Sequence, residues 1–167
     1  MFVILCNMIV YDYDRISAVE YAKTYALTRN PNYYNFDSLG GDCTNFVSQC
    51  VFAGSKIMNY RPITGWYYRG LNDRSASWTG VEFFYRFLIS NDGVGPFAKL
   101  VDKSQLEIGD IIGLGRANGE FYHTLIVSGF SKSGITVCAH TFDALDRPLN
   151  SYRYERARYL HILGVRK

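Results

Sequence analysis

The stretch GGDCTNFVSQC, residues 40–50, joins a glycine-bearing turn to a run with helical spacing. Gly40, Gly41 and Asp42 let the chain turn sharply. Phe46, Val47, Cys50 and Val51 then recur as one face of a buried helix, which Gly54 is expected to close. A cysteine in the first turn of such a helix meets unpaired backbone N–H groups and the positive end of the helix dipole, and both favour the thiolate. Cys43 is one of four cysteines, with Cys6, Cys50 and Cys138. Cys50 and Cys138 lie in apolar runs and read as small core residues. No CxxC or other metal-ligand spacing is present, and four cysteines in 167 residues do not make a disulfide scaffold. Cys43, in its polar turn, is the cysteine whose surroundings ask for a chemical explanation.

Working outward, Ala18, Val19, Ala22, Tyr25 and Ala26 predict a helix with Asp14 as its N-cap, ended by Asn30-Pro31. A tyrosine-rich loop, NPNYYNFDSLGG, leads from there to Asp42. Residues 55–77 read as irregular, with an exposed aromatic run at Gly65-Trp66-Tyr67-Tyr68. Thr79 and Glu82 have capping-box spacing ahead of a third helix through Val81, Phe84, Tyr85 and Leu88, stopped by Asn91 to Gly95. The period then changes. DIIGL (110–114), residues 121–130, 135–141 and 159–166 are short β-rich runs between Gly, Ser and Asn turns. Helices first and strands afterwards predict an α+β fold, with N-terminal helices packed on a C-terminal antiparallel sheet.

The length suits one domain, read as residues 11–167. At 48% hydrophobic and 20% charged residues the chain is too apolar for disorder. A net charge of +3 does not call for nucleic acid, and no run of about 20 apolar residues spans a bilayer. The first ten residues, MFVILCNMIV, lack the basic start and small-residue cleavage site of a signal peptide. They are read as a first strand, the remnant of an export signal, or a terminus that packs.

A nucleophilic thiol needs a base near neutrality, and histidine is the side chain suited to it. His123 opens the strand run HTLIV, and His140 closes ITVCAH on the next. A hairpin folded at Ser131 to Gly134 sets position 140 opposite 124 or 125, which brings His140 beside His123 as a base and its orienting partner. Taken singly, each of these residues is more often structural. Together they are the parts of a Cys-His-X site. A Cys/His/His zinc site competes, weakened by the lack of two ligands close in sequence. His161, inside an apolar run, reads as structural.

GGDCTNFVSQC, together with Asp14-Arg15, Asn30-Pro31, Tyr33, GWYY (65–68), SASW (75–78), LEIGDII (106–112), HTLIV (123–127) and HTFD (140–143), resembles the bacterial putative amidase domain family from about Tyr11 to Val165. More remotely, these motifs are similar to NlpC-type and CHAP cell-wall amidases and peptidases, whose fold is papain-like. The resemblance implies Cys43 as nucleophile, His123 as general base and His140 as the third member, with Asp143 the alternative for that last role. It further implies Tyr33, with Tyr34 the alternative, and the Cys43 N–H as oxyanion donors, and Asp42 as the group that meets a substrate amine. Trp66 is read as part of an aromatic wall beside the cleft. Thr44 and Asn45 stand where NlpC-type enzymes have Ser-Gly, so the substrate preference of those enzymes does not carry over. The activity so implied is hydrolysis of a peptide or peptidoglycan-derived amide, without metal or cofactor, in the cell envelope or outside the cell. A non-catalytic wall-binding module and an acyltransferase are the alternatives.

Overall fold

The computed structural model describes residues 8–167. Residues 1–7, with Cys6 and most of the apolar opening segment, lie outside the described residues. The end of that segment forms a short strand, β1 (Val10–Tyr11).

Helix α1 (Arg15–Tyr25) starts where the cap was expected: the Asp14 carboxylate accepts the Ser17 N–H at 2.9 Å, and Ala18, Val19 and Ala22 are buried. Helix α2 (Cys43–Ser55) is buried along almost its whole length. It does not stop at Gly54 as expected, but runs on until Lys56 adopts a left-handed conformation (φ 58°). Gly54 has another task. A Cβ there would lie 2.4 Å from the Tyr13 ring and 2.7 Å from the Asp14 carbonyl oxygen, so glycine allows the start of α1 to cross the end of α2. Gly54→Ala is expected to destabilise the protein by about 1–3 kcal/mol through overpacking. An unchanged denaturant midpoint would contradict that contact.

The third helical region is two helices, α3 (Ala76–Thr79) and α4 (Val81–Ser90), meeting at Gly80. The expected capping box does not form. The Thr79 hydroxyl accepts from Arg74 Nε at 3.4 Å, and Glu82 is held at 2.9 Å by Arg158. Before them, Tyr68–Gly70 (β2) and Asp73–Arg74 (β3) form a small ribbon.

The fold is α+β with an antiparallel sheet. Its remaining strands are β4 (Gly95–Val101), β5 (Ile111–Gly115), β6 (Phe121–Ser131), β7 (Gly134–Ala139), β8 (Ala144–Pro148) and β9 (Arg156–Arg166). Their order is β1-β9-β5-β6-β7-β8, with β4 along the other edge of β9. β4 and β8 were not expected. GPFAKLV opens with the Gly-Pro of a turn, and ALDRP carries two charges and a proline, so neither shows the alternation of a half-buried strand.

One face of the sheet, through Ile111, Ile126, Cys138 and Leu160, packs on Phe46, Val47, Cys50 and Val51 of α2 and on Ala18 and Ala22 of α1. The other face gathers Ile112, Leu114, Leu125, Val127 and Val137 under Leu106 and Leu149. Cys50 and Cys138 are fully buried, as their apolar runs implied. No helix among the described residues is long and apolar enough to cross a membrane.

The polar letters of GGDCTNFVSQC turn out to be the fittings that seat this buried helix. Ser48 accepts the indole N–H of Trp66 (3.0 Å), Asn45 that of Trp78 (2.9 Å), and Gln49 the Tyr21 hydroxyl (2.7 Å). Each polar group taken from water thereby keeps a partner. Trp66 is consequently a core residue, wholly buried, and not part of an exposed aromatic wall. A second anchor joins α1 to the sheet. The Arg15 guanidinium donates to the Asp110 carboxylate (2.6 Å) and to the carbonyls of Ile108 (2.9 Å) and Ile162 (2.7 Å). The same buried carboxylate accepts the backbone N–H groups of Glu107 and Ile162 and lies 2.8 Å from His161 Nδ1.

Candidate active site

Cys43 is the first residue of α2, and His123 lies near the start of β6. Both line a cleft of about 660 Å³ whose wall also includes Thr141, Arg147 and Tyr152. What brings α2 against β6 at this point is a side-chain bridge, Thr44 Oγ1 to Thr124 Oγ1 at 3.0 Å. Beyond Ile126 and Cys138 the β6–β7 pairing ceases, which leaves the beginning of β6 open beside the cysteine.

The cysteine is 7% exposed, and burial pushes its thiol above the ordinary range. The backbone N–H groups of Thr124 and Thr44 and the Thr44 hydroxyl favour the thiolate and only partly offset this. The lowered value expected from sequence is absent because burial outweighs these donors. The N–H groups of Asp42 and Cys43, for their part, are turned to another acceptor. Thr141 Oγ1 accepts from the backbone N–H of Asp42 at 2.7 Å and of Cys43 at 3.1 Å. Thr141 achieves this with a positive φ of 76°, a strained choice for a β-branched residue, and Gly41, with no Cβ, makes room for it. The Cys43 N–H assigned to an oxyanion is thus capped in the free protein.

His123 is also buried, and its Nε2 has no hydrogen-bond partner among the described residues. Burial, reinforced by the nearby Arg147 cation, lowers its pKa to about 4. The resting pair is therefore a neutral thiol and a neutral imidazole, the latter competent as a base. An unfolded His123 would take up its proton near pH 6.5, before the folded one does, so this residue makes the fold lose stability as pH falls from about 6.5 towards 4. Denaturant midpoints at pH 7 and pH 5 test this: the wild type should lose more stability than His123→Gln, and equal losses would contradict it.

The remaining sequence-based assignments fall elsewhere. His140 does not orient His123. Its Nδ1 lies 2.6 Å from the Asp42 carboxylate, its Nε2 donates to the Tyr25 carbonyl at 2.8 Å, and its ring stacks on Phe46. The hairpin register explains why. Ile126 opposes Cys138, where the pairing ends, and His140, two positions beyond Cys138, lies on the face that Cys138 presents to α2. His123 belongs to the other face. Asp143 does not reach His123 either, since its two oxygens accept from Arg29 at 2.9 and 3.1 Å. Asp42 is fully buried and occupied by His140, the Phe36 N–H and the Asn45 amide, so it is not open to a substrate amine. Tyr33 packs against Tyr68 and Trp78, apart from the cleft.

Most of the cleft wall carries no sequence signal of its own, Thr141, Arg147 and Tyr152 included. Thr141 stands within HTFD, but nothing in that motif marks its hydroxyl as the acceptor of the Cys43 N–H. Arg147 and Tyr152 carry no local signal, because the return of β8 alone brings them to the cleft. Among the described residues no group of His, Cys, Asp and Glu side chains is arranged to hold a metal ion.

The model of a family described as a putative amidase domain matches residues 12–163, a span that takes in both walls of this cleft. The chain belongs to that family. Over 139 residues, this amidase-family chain is 37% identical to the uncharacterized protein YhbB of Bacillus subtilis (strain 168), covering 80% of the chain and 43% of YhbB. It is 28% identical over 147 residues to the uncharacterized protein YjcM of the same organism, covering 83% of the chain and 33% of YjcM. The chain thus spans less than half the length of these relatives. No solved structure matches it.

Proposed function

We propose that this chain is a cysteine amidohydrolase of papain-like type, with residues 11–167 as its catalytic unit. One observation carries the reading: a cysteine at the start of a buried helix and an unpartnered, neutral histidine on the adjoining strand line the same cleft. As the Cys43 sulfur bonds to the amide carbon, its proton passes to His123, and the carbonyl oxygen gains the negative charge. That oxygen takes over the Cys43 N–H, displacing the Thr141 hydroxyl. His123 then gives the proton to the nitrogen as the C–N bond breaks. Water, deprotonated by the same imidazole, attacks the thioester and restores the thiol.

His140 serves in this scheme as a positioning residue. It fixes Asp42, and with it the turn that presents Cys43. His123 is kept in place by its strand and by the rings of Tyr122 and Tyr152. A peptide amide of the bacterial cell wall is the proposed substrate, supported by the resemblance of the Cys43 and His123 motifs to cell-wall amidases. Mass spectrometry of peptidoglycan fragments incubated with the protein tests the reading: wild type should release new amine termini and His123→Gln should not. Equal cleavage by both would contradict it.

A further inference from the structure

We propose that the substrate carries a carboxylate on the amine it releases, and that Arg147, assisted by Arg153, binds it. This rests on the Cys43–His123 reading and adds to it the chemical class of the leaving group.

Three guanidiniums line the cleft, those of Arg116, Arg147 and Arg153, against one carboxylate, Glu120. Arg116 and Glu120 satisfy each other at 2.7 Å. Among the described residues neither Arg147 nor Arg153 has an acidic partner, whereas Arg116, the third arginine of the cleft, has one.

Arg147 is also held in place. Its Nε donates to Ser151 Oγ at 2.8 Å, its Nη2 to the Ser151 carbonyl at 3.3 Å, and its Cζ sits 4.1 Å from the centre of the Tyr152 ring. Its Nη1 makes no hydrogen bond to any described residue. A guanidinium fixed on an aromatic ring, half-buried and still offering N–H groups, is pre-organised for a carboxylate.

Its position selects which carboxylate. The Tyr152 ring that supports Arg147 is also the neighbour of His123, with centroids 6.1 Å apart. The cation therefore stands on the imidazole side of the cleft, where the departing amine receives its proton. Burial is the main cause of the low His123 pKa and the Arg147 charge the lesser one; a carboxylate bound there would offset the second and so make the base stronger when substrate is present.

The test compares alkylation of Cys43 by iodoacetate, which carries a carboxylate, with alkylation by neutral iodoacetamide. In both, the sulfur bonds to the methylene carbon and iodide leaves, and peptide mapping gives the rate at Cys43. The iodoacetate-to-iodoacetamide rate ratio is normalised to that of N-acetylcysteine. It should exceed one by about fivefold in the wild type, fall towards one in Arg147→Gln, and be largely kept in Arg147→Lys. A normalised ratio of one or below in the wild type, or an unchanged ratio in Arg147→Gln, overturns the carboxylate proposal and leaves the nucleophile in place. Failure of both reagents to label Cys43 overturns the nucleophile reading, and this proposal with it.

Discussion

Cys43→Ala is expected to lower hydrolysis of the amide substrate by at least about 10³-fold, because the covalent route ends with the sulfur and no other cleft residue can replace it. The loss should come without unfolding. The change removes one atom from a side chain at the rim of the core, and the contacts that seat α2 are made by Thr44, Asn45, Ser48 and Gln49. Activity and denaturant midpoint should therefore separate, with turnover abolished and stability within about 1 kcal/mol of wild type. Cys50→Ala should behave in the opposite way. That residue is wholly buried in the core between α2 and the sheet, so the substitution costs stability and spares the chemistry. Undiminished hydrolysis by Cys43→Ala would end the proposed mechanism.

Asp110→Ala should have the largest effect on stability, about 3–5 kcal/mol, against a total of about 5–15 kcal/mol for a domain of ordinary stability. The carboxylate is completely buried and joins the N-terminal helix, the approach to β5 and the middle of β9. Its removal takes from the Arg15 guanidinium, 18% exposed, its buried carboxylate and leaves it only the more exposed Glu107 and two carbonyls. It also deprives the Glu107 and Ile162 N–H groups of this acceptor. Asp92→Ala is the matched control. That carboxylate also pairs with an arginine, at 3.2 Å, but is 81% exposed, and it should cost no more than about 1 kcal/mol. Urea titrations of the two variants measure the difference, and equal midpoints would show that the buried anchor contributes nothing beyond a surface pair.

Asp110 also shows what the sequence could and could not reveal. LEIGDII stood out as a motif, yet its aspartate belongs to an anchor whose other half, Arg15, lies 95 positions earlier. Local patterns were legible where local physics decides the outcome. Asp14 caps α1 through a residue three positions away, the apolar spacing of α2 marks its buried face, and the turn at Ser131 to Gly134 sets the hairpin register to within one residue.

That last residue was decisive for the site. The bulge between Val127 and Gly129 shifts the pairing by one residue before it ends at Ile126 and Cys138, and a one-residue shift moves a side chain to the other face of the sheet. The burial of Trp66 is hidden from the sequence for a related reason. A turn-rich setting suggests exposure, while Ser48, the residue of α2 that receives its indole N–H, lies 18 positions earlier. Thr141 over the Cys43 N–H and Arg147 beside His123 arise from chain returns that no spacing rule anticipates.

The pairing of Cys43 with His123 is tested most directly by trapping the covalent intermediate. Wild-type protein and His123→Gln are mixed with p-nitrophenyl acetate, quenched in acid within the first turnover, and mapped by tandem mass spectrometry. Acetyl on Cys43 in the wild type, formed far more slowly in His123→Gln, is the expected result. Acetyl on another residue, or equal acetylation of Cys43 in both proteins, would contradict the account.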